Sequence, residues 1–188
     1  MRPTLAPRIA LRALICLASP ALMPSGPLSA QARPAASADI VLQTQYDTTV
    51  SLQALRGQVV ALIYGDQGGS SVMGAYVRAA REHWPGEVEP APHVLQAADL
   101  RGVPGLLKGY AKGRFTRPTT SGARRAAVLL DWGGSIARQF GAEPKLANVY
   151  IIAADGELVW RDSGTGAPEH TPSFNAALSE ALREERHP

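Results

Sequence analysis

Apolar positions along this chain change spacing several times, and each change marks an element. Ile40 to Gln45 is rich in β-formers; Tyr46 to Thr49 has turn character; Val50 to Leu52 returns as a second short strand, which predicts an N-terminal hairpin. Leu52 to Leu55 reads as one helical turn ending at Gly57. Val59 to Tyr64 is unbroken apolar sequence between glycines, the pattern of a strand buried on both faces. The Gly65 to Ser71 loop follows, with Ser70 or Ser71 placed to cap a helix whose apolar stripe is Val72, Met73, Tyr76, Val77 and Ala80 and which stops at Pro85-Gly86. Further strands are expected within Val88 to Ala97 (centred on His93 to Leu95), at Ala126 to Leu130 and at Val149 to Ile152. Asp155-Gly156 turns the last of these into Glu157 to Trp160. Short helices are expected near Pro104 to Lys112 and at Ser135 to Phe140, and Phe174, Ala177, Leu178, Ala181 and Leu182 form the stripe of a C-terminal helix. Alternating β and α followed by an antiparallel hairpin and a helix predicts an α/β domain, a mixed central sheet between helical layers.

Residues 1–32 lie apart from this pattern. Arg2, Arg8 and Arg12 precede the apolar stretch Ala13 to Ala18, then Pro20 and Pro24, then the small exit Ala30-Gln31-Ala32, the parts of a secretory signal. Prolines break the apolar run well short of the roughly 20 residues a spanning helix needs. Lipid attachment at Cys16 is disfavoured because Ala13-Leu14-Ile15 lacks the required residues before it. The expected organisation is a signal at 1–32, a flexible start at 33–38, and one domain over 39–188, periplasmic or secreted, with no membrane span after cleavage.

Cleavage changes the charge and the chemistry together. The whole chain carries 19 Lys+Arg against 16 Asp+Glu, yet three of the basic residues and none of the acidic ones fall in residues 1–32, so the remainder is neutral. A nucleic-acid partner loses its main support. The single cysteine, Cys16, sits in the leader, so residues 33–188 hold no thiol for redox or nucleophilic work.

Three segments carry a resemblance. Val50 to Tyr64 contains Leu52-Gln53-Ala54-Leu55-Arg56-Gly57 before the buried strand; Asp131 to Gly141 reads D-x-x-G-x-x-A-x-x-F-G; Val149 to Val159 reads as a strand, Asp155-Gly156 and a return strand. In this order they resemble the thioredoxin-like redoxins, the alkyl hydroperoxide reductase/thiol-specific antioxidant and TlpA-like branch, across Ile40 to Leu182. The likeness implies a thioredoxin-like three-layer α/β/α sandwich. In that family the loop after the buried strand holds a reactive cysteine or a C-x-x-C pair; counted from Gly57, those places fall on Gly69 and Val72, and the facing proline falls on Ala147. The resemblance therefore implies the fold without the activity. Within the superfamily the pattern is similar to the cysteine-free periplasmic YtfJ-type proteins, which share an irregular insertion before the D-x-x-G element.

Two candidate surfaces remain. The loop before the first long helix, with Asp66, Gly68, Gly69, Ser70 and Ser71, offers backbone N–H groups and glycines for close approach to a ligand. Asp66 and the absence of G-x-x-x-x-G-K-(S/T) argue against a phosphate there. Within the insertion over about 99–125, the stretch from Arg101 to Arg125 holds Arg101, Lys108, Lys112, Arg114, Arg117, Arg124 and Arg125 and no acid, leaving a net −7 on the rest of 33–188. Such a patch suits an acidic envelope protein or another anionic partner; a solvated face with its charges spread apart explains the same run. His83, His93, His170 and His187 lack metal-ligand spacing, so no metal and no cofactor are expected, and His83 reads as support for its helix end. Ser70, His170 and Asp131 supply the residue types of a triad without a G-x-S-x-G. Trp84, Trp132 and Trp160 read as core or rim aromatics.

The expectation is a secreted, cysteine-free thioredoxin-like domain that binds a partner without catalysis. The alternative is a component of a thiol-redox or peroxide-defence system that uses thiols from a partner chain.

Overall fold

The apolar run after Gly57 becomes the middle of a sheet. In chain order the strands are β1 (Val41–Thr44), β2 (Thr49–Ser51), β3 (Val60–Gly65), β4 (His93–Asp99), β5 (Leu129–Asp131), β6 (Ala147–Ile152) and β7 (Leu158–Gly164); the helices are α1 (Ser70–His83), α2 (Lys108–Thr116), α3 (Ser135–Phe140) and α4 (His170–Glu185). The computed structural model describes residues 40–84, 91–118, 125–164 and 170–185. The leader, the flexible start, Pro85-Gly86, Arg124 and His187 lie outside them.

The strands form one sheet in the order β2-β1-β5-β4-β3-β6-β7. β4 runs parallel to both β3 and β5, while β6, β7 and the β1–β2 hairpin add antiparallel partners. Alternation along β3 divides the core. Val60, Leu62 and Tyr64 face α3 through Ile136, Ala137 and Phe140. Val59, Ala61 and Ile63 face α1 and α4 through Met73, Tyr76, Phe174 and Leu178. A strand buried on both sides needs this continuous apolar run, because neither face meets water.

The D-x-x-G element has a physical explanation. Asp131 is fully buried at the end of β5. Its Oδ1 accepts from the Ser135 N–H and hydroxyl, each at 2.9 Å, and its Oδ2 accepts from the Ile136 N–H at 2.9 Å. Those are orphan donors of α3, so the carboxylate caps the helix from outside it. Gly134 and Gly141 flank the helix at φ +70 and +67, where a β-carbon is disfavoured. Gly57 (φ +90) serves likewise after the 3-10 turn Gln53–Leu55, and its N–H donates to Ala154 O at 2.8 Å, joining the chain entry to the β6–β7 turn.

Three local expectations shift. The N-cap of α1 is Gly69 with no side-chain cap, and the Ser70 hydroxyl donates to Gln67 O at 2.8 Å instead. The insertion helix reaches Thr116 because Phe115 packs on the cluster of Ala98, Leu100, Val128 and Leu130. β5 starts at Leu129 instead of Ala126 because the buried Gln45 side chain takes the backbone before it: Nε2 donates to Ala126 O at 2.9 Å and Oε1 accepts from Val128 N–H at 2.8 Å.

Asp131→Ala strips three hydrogen bonds and leaves the half-buried Ser135 N–H and the buried Ile136 N–H unpaired, so urea denaturation is expected to show a loss of about 3 kcal/mol. A loss below about 1 kcal/mol removes the capping role.

Candidate functional site

Strand β3 ends at Gly65, and the next residue turns its carboxylate back on the chain. Asp66 Oδ1 accepts from the N–H of Gly68 at 2.8 Å and of Gly69 at 3.2 Å; Oδ2 accepts from the N–H of Lys145 at 2.9 Å. Lys145 stands at φ +65, in the turn that leads into β6. Asn148 holds that turn from inside: its buried amide accepts from Glu143 N–H at 2.7 Å and donates to Glu143 O at 2.9 Å and Leu146 O at 3.2 Å.

The two turns touch backbone to backbone. A β-carbon at Gly69 would stand 2.6 Å from Leu146 C and 2.9 Å from Ala147 N. At Gly68 it would stand 3.1 Å from Lys145 Cα, and at Gly65 3.1 Å from Leu146 O. The glycines do permit close approach, and what approaches is the chain itself. The concavity before α1 is filled by 145–147, Gly69 is buried, and Ser70 and Ser71 remain exposed beside it.

The basic insertion is spread over several partners. Arg101 grips Asp99 with Nε at 3.0 and 3.1 Å and one terminal nitrogen at 2.6 Å. Lys112 pairs with Asp47 in the hairpin turn at 2.5 Å. Lys108 lies over the Trp132 ring, 5.4 Å from its centre. Arg125 Nε donates to Arg117 O at 2.8 Å, and Arg125 O accepts from the Tyr46 hydroxyl at 2.9 Å. Arg114 and Arg117 are exposed. Beside Arg125 a cleft of about 360 Å³ opens between the hairpin and β4, lined by Thr44, Thr48, Val50, His93 and Leu95 among others.

The triad residues are engaged separately. Ser70 donates to Gln67 O and Asp131 caps α3. His170 Nδ1 lies 3.0 Å from Asp162 Oδ2, which also accepts from the Tyr76 hydroxyl at 3.1 Å. That group ties the start of α4 to β7 and α1. His83 sits in the last turn of α1 with its ring against Trp84. Trp84 and Trp160 pack on the α1–α4 side of the core, and Trp132 packs on the smaller cluster under α2.

Burial pushes the Tyr64 phenol far above its ordinary value, and the nearby Asp131 and Asp99 carboxylates add to the rise. Burial pulls the Asp99 carboxyl up as well, but Arg101, through guanidinium and backbone N–H, outweighs it and holds the group below its ordinary 3.8.

No protein-family model and no curated protein matches the chain. Solved structures do. A putative thiol:disulfide interchange protein DsbE from Chlorobium tepidum is 16% identical, with TM-score 0.59, covering 80% of this chain and 97% of its own. The pneumococcal exposed lipoprotein thioredoxin of Streptococcus pneumoniae is 19% identical, with TM-score 0.55, covering 78% and 99%. A secreted thiol-disulfide isomerase from Corynebacterium glutamicum is 15% identical, with TM-score 0.53, covering 77% and 84%. The chain has the thioredoxin-like α/β fold. Among the described residues no helix is long and apolar enough to cross a membrane.

Two measurements check the geometry. Gly69→Cys is expected to lose about 3 kcal/mol in denaturant unfolding, because rigid backbone cannot yield to the new atom, whereas Gly74→Ala, in open space on α1, should be neutral or gain up to about 1 kcal/mol. Asp99→Asn should cost about 1 kcal/mol at neutral pH. With the folded pKa depressed, that difference is fully present above 3.8 and disappears as pH falls through the lower folded value, which thermal melts across the acid range will show.

Proposed function

We propose that this protein is an exported thioredoxin-fold protein that works by binding, as a non-catalytic accessory protein of the cell envelope, without thiol chemistry. The reading extends to the YtfJ-type likeness and to a periplasmic or secreted location. One observation carries it: Gly69, the position counted as the family's thiol, is in backbone contact with Leu146 and Ala147, the latter counted as the facing proline. In a working redoxin that gap must admit a sulfur atom and the disulfide it attacks. Here it admits no side chain beyond hydrogen, and residues 33–188 contain no cysteine to put there. Asp66 supports the same reading, since its carboxylate is committed to three backbone N–H groups of the closed loop. The working surface is then the basic insertion, with Arg114 and Arg117 exposed on it, facing an acidic envelope protein or another anionic partner.

The test is turnover. The full chain and its Cys16→Ser variant are assayed for peroxide consumption and for reduction of insulin and glutathione disulfides. Rates equal to buffer in both are expected. Turnover by either overturns the proposal. A rate with added C-x-x-C thioredoxin that exceeds the thioredoxin's own rate overturns it in favour of a redox component using a partner's thiols.

A further inference from the structure

The insertion carries a second surface, made of apolar side chains that the core does not use. Leu106 is 100% exposed, Leu107 52% and Tyr110 61%. They lie together, in the 3-10 turn Gly105–Leu107 and the first turn of α2. Their neighbours in sequence do the holding. Phe115 enters the apolar cluster beneath, Lys108 lies over Trp132, and Lys112 reaches Asp47. Leu106, Tyr110 and Arg114 follow one another at intervals of four, so the exposed apolar tip continues into exposed cationic surface. No acidic residue occurs between Arg101 and Arg125.

We propose that this tip docks on an anionic lipid surface, with Leu106, Leu107 and Tyr110 entering the headgroup and acyl boundary while Arg114 and Arg117 meet the phosphates. Charge complementarity selects the occupant. Exposed leucine beside tyrosine and arginine is the composition of interfacial anchors, in which apolar side chains insert and cations stay at headgroup level. Three side chains are far too few for a standard protein interface of about 800 Å² per partner, whereas a bilayer requires no matching groove. The inference rests on the binding role proposed above and names its partner. It has its own readout: turnover tests that role, and vesicle binding tests this one.

The full chain is floated with vesicles of phosphatidylcholine alone and with vesicles containing phosphatidylglycerol, at low and high salt. Three chains are compared: the natural sequence, Leu106→Ser with Leu107→Ser, and Arg114→Glu with Arg117→Glu. All carry the same residues 1–32, so whatever these contribute is common. Preference for phosphatidylglycerol, an approximately tenfold loss in the serine variant with its thermal midpoint unchanged, and loss of the salt-dependent part in the glutamate variant are expected. Equal vesicle binding by all three chains overturns the proposal. So does capture of an acidic polypeptide such as polyglutamate by the natural chain with no binding to either vesicle.

Discussion

The structure depends on an approach of two backbones that leaves no room for a side chain between them. Gly69 lies against Leu146 and Ala147, Asp66 bridges to the Lys145 N–H, and Asn148 folds the facing turn from within. A thioredoxin-like sheet places these two turns together because β3 and β6 are antiparallel neighbours, with Tyr64 opposite Asn148. The redoxin resemblance in the sequence counts a thiol and its facing proline to these positions, Gly69 and Ala147. In this molecule the same place is a joint between two halves of the sheet.

With the joint closed, exposed surface of unusual character is concentrated in the segment between β4 and β5. Its charges look uniform in sequence and are used differently in space. Arg101, Lys108 and Lys112 attach the segment to Asp99, Trp132 and Asp47, while Arg114 and Arg117 remain outward. The attachments also explain why a helix with two glycines, Gly109 and Gly113, holds its place: tethers on either side and Phe115 beneath replace the propensity that glycine lacks.

Much of the fold was legible because its signals are local. The Asp131 element states its own cap, its left-handed glycine and its buried face within eleven residues, and the Val59 to Tyr64 run announces a two-sided strand. The loop before α1 was half legible. Glycines at 65, 68 and 69 signal that something comes close, but nothing near them in sequence says that the visitor is a turn 79 residues away. The Lys112–Asp47 and Gln45–Val128 partnerships are of the same kind, invisible until the sheet order is known. Leu106 and Leu107 gave no sequence signal of their exposure. Leucines in a helical segment normally report core, and only the surrounding packing shows that these two are left outside.

Gln45 stands where β1 meets the approach to β5. Its side-chain amide takes the place of a peptide unit, completing the rung between β1 and the approach to β5 with one donor and one acceptor. The chain arriving at β5 is thus relieved of forming a longer strand, and what precedes it can change length without disturbing sheet registry. A thioredoxin-like fold with such an amide at this corner can carry a longer appendage there without rebuilding its frame.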